Sequence, residues 1–204
     1  MVYIPTKEEI QNQKALIGDF IIRFEQTCAR IRFAILRICY PNWTVIQNNN
    51  IETLLEGLTA DPLRKKLEAL IFDNFPNEHE ILSQSKKLSD KFEKVIPIRN
   101  SIAHGSMLIG WNNLEGKLSA DTLLLKHSKS TRSGIDRNSM IINIKSIEKL
   151  IIQTQLIESA YSILYVLTDE DINAENKELY LNQLKEMIDK IGTIKLDFEN
   201  KVKK

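Results

Sequence analysis

Glycine and proline are scarce in this sequence of 204 residues, at seven and five. Chains built from many short strands and tight turns use more of both, so the scarcity argues against an all-β fold. The 43% hydrophobic content argues against disorder and is enough for one substantial core. Charge of one sign is lacking as well: 28 Lys and Arg face 27 Asp and Glu, for a net +1. No global basic field of the kind behind sequence-independent nucleic-acid binding exists, and any contact with a polyanion has to be local. Cysteine is nearly absent. Cys28 and Cys39 fall on one predicted helix, about 16 Å apart along its axis, too far for a disulfide. They are expected to be small core residues in a reducing cytoplasm.

Other absences narrow the function. No run approaches the roughly 18 uninterrupted apolar residues of a membrane span. No cationic start followed by an apolar run marks a signal peptide. The phosphate-cradling glycine loop, paired-cysteine zinc spacing, HExxH and EF-hand patterns are all missing. His79 and His127 stand in isolated polar segments and read as surface residues. The expectation is a cytoplasmic chain with no cofactor, no metal and no membrane partner.

What is present is helical periodicity. Thr6-x-x-Glu9 is a capping box. Apolar residues then recur at Ile10, Ile17, Ile21, Phe24, Cys28, Ile31, Ile35 and Ile38, a heptad-like seam that predicts one long amphipathic helix. Such a seam suits an up-down bundle or a dimer interface. Arg23, Arg30, Arg32 and Arg37 fall off it and read as a solvated face. Asp61-Pro62 reads as the cap and first residue of a further helix. Another starts near Asn77 and carries Ile81, Leu88, Phe92 and Val95, with Arg99 continuing the stripe four residues on. Ser146 reads as the cap of the next, and a last helix spans about 173–202 on Tyr180, Leu184, Met187, Ile191, Ile194 and Phe198.

Within this pattern the stretch Pro97-Ile98-Arg99-Asn100-Ser101-Ile102-Ala103-His104-Gly105 gathers chemistry. Asn100 and His104 are four apart, so they stack on one helix face, and Arg99 sits about 140° around the axis from His104. An arginine stem is long enough to swing its guanidinium back. Imidazole takes and gives protons near neutral pH, and guanidinium fits phosphate oxygens. RNA supplies its own nucleophile, the 2′-hydroxyl. The alternative is a helix terminus: Gly105 in the left-handed C′ position and His104 at the negative end of the dipole. Pro97 predicts a bend just before the group.

Arg99-Asn100-Ser101-Ile102-Ala103-His104 matches the R-N-x-x-x-H form of the HEPN motif, and the chain resembles the HEPN-domain family. The resemblance is supported by a long first helix, a motif near the end of a later helix and a further long helix. It implies an all-α, HEPN-like up-down helical bundle acting as a metal-independent endoribonuclease. It also implies a homodimer with the active site at the interface, an RNA substrate, a 2′,3′-cyclic phosphate product and Arg99, Asn100 and His104 as catalytic residues. The setting it implies is a toxin with a cognate antitoxin, or an anti-phage effector. Many members add a tyrosine two places after the histidine; Ser106 stands there in this chain. A non-catalytic module binding nucleotides, RNA or a protein is the alternative.

After Gly105 the texture changes. Met107–Trp111, Thr122–Leu125 and Met140–Ile144 are short apolar runs that predict a small β-hairpin or three-strand insertion at about 106–145, within a single domain spanning 1–204. Between the last two runs, Lys126, Lys129, Arg132 and Arg137 face a single acid, Asp136. This segment reads as a loop. Its cations are candidate RNA-backbone contacts, or simply a solvated surface.

Overall fold

Helices predominate in the computed structural model, which describes residues 4–41, 49–50, 53–111, 118–131, 134–169, 171–194 and 198–199. The helices with both ends described are α1 (Lys7–Cys39), α2 (Ala60–Asn74), α3 (His79–His104), α4 (Ile144–Leu167) and α5 (Ala174–Lys190). The strands β1 (Ser106–Trp111), β2 (Leu118–Thr131), β3 (Gly134–Asn143) and β4 (Phe198–Glu199) form an antiparallel sheet in the order β1-β2-β3-β4. Three of them cover the stretch for which the apolar runs predict a hairpin or three strands.

The capping box starts α1. Thr6 N–H donates to Glu9 Oε2 at 2.7 Å, and Glu9 N–H donates to Thr6 Oγ1 at 3.2 Å, so two orphan donors of the first turn are satisfied reciprocally. At α2 the start lies two residues earlier than Asp61-Pro62 suggests, with Thr59 as N-cap. At α4 the start is Ile144, and Asn143 Oδ1, not Ser146, accepts from the first turn at Lys145 N–H, 2.9 Å. Asn173 caps α5 through Asn176 N–H at 2.8 Å.

The chain forms two compact units, Met1–Ile22 with Pro97–Ile152 and Ile194–Lys204, and Arg23–Ile96 with Gln153–Thr193. The second is a helical bundle. The seam of α1 is buried there at Phe24, Cys28, Ile31, Ile35 and Ile38. That half of the seam serves the bundle, while Ile10, Ile17 and Ile21 in the first unit are half-buried. Phe92 stacks between Phe24 at 5.2 Å and Tyr161 at 5.8 Å, centroid to centroid. The arginines of α1 are not merely solvated. Arg37 pairs with Asp169 and lies over the Tyr165 ring, and Arg30 reaches Glu158 at 3.8 Å. Cys28 is buried, but Cys39 is exposed and so is not a core residue.

The first unit buries Phe20, Ile98, Ile102, Leu125, Ile142, Ile147 and Leu150. It is where the sheet and the last turns of α3 meet. One helix, α4, is long and apolar enough to cross a membrane among the described residues. Its Ile147, Leu150, Ile157, Ala160, Tyr161, Leu164 and Leu167 are buried, as in the core helix of a folded domain.

The C-terminal helix is shorter than its apolar spacing suggests. It stops at Lys190, not near 202: Ile191 leaves the helical region with ψ 101°, and Gly192 and two β-branched residues follow. The Lys91 ammonium donates to the Ile191 carbonyl at 2.6 Å, satisfying an orphan acceptor and opposing the negative end of the dipole. Phe198, read as the last apolar position of the helix, instead pairs with Ile142 on β3. The tail Lys201–Lys204 lies outside the described residues.

Candidate functional site

Helix α3 carries the R-N-x-x-x-H group on its last two turns, inside the first unit. The apolar stripe that builds the helix runs Ile81, Leu88, Phe92 and Val95, then Ile98 and Ile102, all buried. The expectation that Arg99 continues the stripe is therefore corrected: Ile98 takes that place, one residue earlier, at helical spacing from Val95. The division between the two units falls just before Pro97. The helix is continuous through that residue, although proline has no N–H to offer the Glu93 carbonyl.

With Ile98 and Ile102 inward, Asn100, Ala103 and His104 face out. Asn100 and His104 are exposed and Arg99 is half-buried. Arg99 Nη1 donates to Asn100 Oδ1 at 3.4 Å, a long bond between sequence neighbours. The carboxamide oxygen is thus turned to the guanidinium. His104 is the last helical residue, where a cationic imidazole would be favoured by the helix dipole. A helix-end role and a chemical role are both compatible with that placement.

Gly105 does not adopt the left-handed conformation expected of a C′ glycine; the glycine with positive φ among the described residues is Gly57, at 79°. Its requirement is steric. A Cβ at 105 would lie 2.4 Å from Leu125 Cδ1 and 2.5 Å from the Ser101 carbonyl oxygen. No local sequence signal marks this contact, because Leu125 comes from another strand.

The cationic segment is strand, not loop. The β2–β3 ladder runs from Thr122↔Asn143 to Thr131↔Gly134, so Lys126 and Lys129 lie on β2 and Arg137 on β3. Arg132 lies outside the described residues. In the backbone register Lys126 pairs with Ser139, Lys129 with Asp136 and Arg137 with Ser128. Alternating Ser, Lys and Thr in a polar run carries little strand signal; the pairing comes from the apolar base of the hairpin, where Leu125 and Ile142 are buried.

In the second unit, sequence reading passed over Arg64. It is buried on α2 and bonded to Asp61 at 2.8 Å, Glu68 at 3.2 Å and Ser89 at 2.9 Å, with Glu93 at 3.3 Å. The visible signal was its two acids at i−3 and i+4. Among the described residues no group of three or more His, Cys, Asp or Glu side chains is placed to hold a metal ion. Comparison with protein-family models, with curated proteins and with solved structures gives no match.

Proposed function

We propose that this chain is a HEPN-like endoribonuclease that cleaves RNA without a metal ion, as a homodimer in which the motifs of two copies share a cleft. The observation that supports it best is that the last two turns of α3 hold an imidazole and a carboxamide open to solvent, with a guanidinium against the carboxamide. His104 takes the proton of the 2′-hydroxyl, or gives one to the departing 5′-oxygen. The 2′-oxygen bonds to phosphorus as the bond from phosphorus to the 5′-oxygen breaks, leaving a 2′,3′-cyclic phosphate and a 5′-hydroxyl. Arg99 balances the charge that builds on the phosphoryl oxygens, and Asn100 binds phosphate or orients His104. Lys126, Lys129 and Arg137 are the described backbone-contact candidates. The biological role is that of a toxin held by a cognate antitoxin, or of an anti-phage effector.

A second reading, a non-catalytic module that binds a nucleotide, RNA or a protein, draws support from the Arg99–Asn100 bond and from Ser106 in the place of a tyrosine. The two separate in one experiment. Purified protein, His104→Ala and Arg99→Ala are incubated with structured RNA in excess EDTA. The nuclease reading expects cleavage reduced about 100- to 10,000-fold by His104→Ala and about 100- to 1,000-fold by Arg99→Ala. Equal background from all three proteins, with RNA still bound, favours the second reading.

A further inference from the structure

The imidazole of His104 is exposed, so its position follows the backbone of the turn that carries it. That backbone is held from outside the helix. The chain leaves α3 at His104 and enters β1 at Ser106, with Gly105 alone between them. Strand β1 pairs at once with β2, Ser106 opposite Lys126 and Met107 opposite Leu125. The fully buried Leu125 side chain then comes back over Gly105 and occupies the space a Cβ would need. Equally close to that missing Cβ stands the Ser101 carbonyl, part of the helix itself and unable to swing away. The residue after the imidazole is thus wedged between its own helix and a strand whose next residue is Lys126.

We infer that Gly105 and Leu125 are positioning residues for His104: the seat between them fixes where the exposed imidazole stands. Its consequence for catalysis rests on the ribonuclease reading; its geometry does not. Ordinary contact begins at 3.4 Å and the Cβ of an alanine would meet Leu125 Cδ1 at 2.4 Å. The Leu125 methyl could turn aside at the cost of its packing, but the Ser101 carbonyl oxygen at 2.5 Å is backbone, so the helix end must yield by about 1 Å. A misplacement of about 1 Å at a reacting group is enough to lose roughly 100-fold in rate. Because β2 also carries Lys126 and Lys129, the strand that would hold RNA is the strand that seats the imidazole.

The test uses the full chain and two readouts. The first is the His104 imidazole resonance by NMR, with His79 on the other unit as internal control. The second is cleavage of a structured RNA, split into kcat and KM. Gly105→Ala is expected to shift the His104 resonance and leave His79 in place. It is expected to lower kcat about 100-fold with KM within about twofold. Adding Leu125→Ala removes the nearer of the two clashes and restores part of the rate. An unshifted His104 resonance and an unchanged kcat in Gly105→Ala overturn the inference. If Gly105→Ala fails to fold, Leu125→Ala alone decides, since it only removes atoms: a loosened seat shifts or broadens the His104 resonance, and an unaltered one overturns the inference. If the unmodified chain cuts no RNA, the ribonuclease reading fails while the resonance still decides the seat.

Discussion

Replacing Arg64 by alanine tests the bundle at a cation buried on α2. The guanidinium is 5% exposed and bonds Asp61, Glu68 and Ser89 while pairing with Glu93, so it ties α2 to α3. Losing charge-assisted hydrogen bonds costs about 1.5–3 kcal/mol. The partners differ in what they lose. Asp61, Glu68 and Glu93 are 38%, 27% and 58% exposed and regain water when the cation goes. Ser89 is 2% exposed and cannot, so its hydroxyl adds a desolvation cost of about 1 kcal/mol. The expected loss for Arg64→Ala is about 3 kcal/mol, at the low end of the range for stranding a buried charge because the carboxylates rehydrate. Arg64→Met keeps the buried stem and should lose about 2 kcal/mol. Urea unfolding followed by circular dichroism measures both, and a double-mutant cycle with Ser89→Ala should return a coupling of about 1 kcal/mol. A loss under about 0.5 kcal/mol, the size of an ordinary surface change, would refute the reasoning.

Three further outcomes are expected. The Tyr161 hydroxyl is fully buried without a hydrogen-bond partner among the described residues, so Tyr161→Phe should stabilise by about 1 kcal/mol in thermal unfolding; a comparable loss would contradict that. Gly18 sits within α1 with nothing within 4 Å of a Cβ built there, so Gly18→Ala should raise stability by about 0.5–1 kcal/mol, and a decrease would show the position is not open. Hydrogen bonds from Lys65, then Arg64, hold the Asp61 carboxyl below its ordinary value of 3.8. A lowered folded-state value means the ionised carboxylate contributes stability above that ordinary value and loses it as pH falls through the lowered one. Asp61→Asn should therefore flatten the acid side of the stability profile, and a profile unchanged below about pH 4 would contradict it.

What the sequence carried plainly was local and periodic. The Thr6–Glu9 box and the α1 seam from Phe24 to Ile38 rest on residues within four positions of one another, and each stands where its spacing puts it. The errors came where long-range contacts decide. The apolar spacing of Ile191, Ile194 and Phe198 suits a helix, but the conformation at Ile191 ends it and β3 takes Phe198. Gly105 resembles a left-handed cap in one dimension, while its requirement is a leucine twenty residues away. The polar stretch from Lys126 to Thr131 has no strand pattern of its own, yet it pairs because the hairpin base is buried. At the candidate site the sequence supplied the three side chains and their helix. It did not supply which face turns inward: Ile98, not Arg99, continues the core stripe, and that frees Arg99 to lie beside Asn100.

The most direct test of the ribonuclease proposal is the chemistry of the ends it leaves. RNA is cut in EDTA and in water labelled with heavy oxygen, and the fragments are weighed by mass spectrometry. Attack by the 2′-hydroxyl gives fragments ending in a cyclic phosphate, lighter than the linear phosphate by one water and free of label, and His104→Ala gives none of them. Labelled linear phosphates as the first product, or the same fragments from His104→Ala, would contradict the proposal.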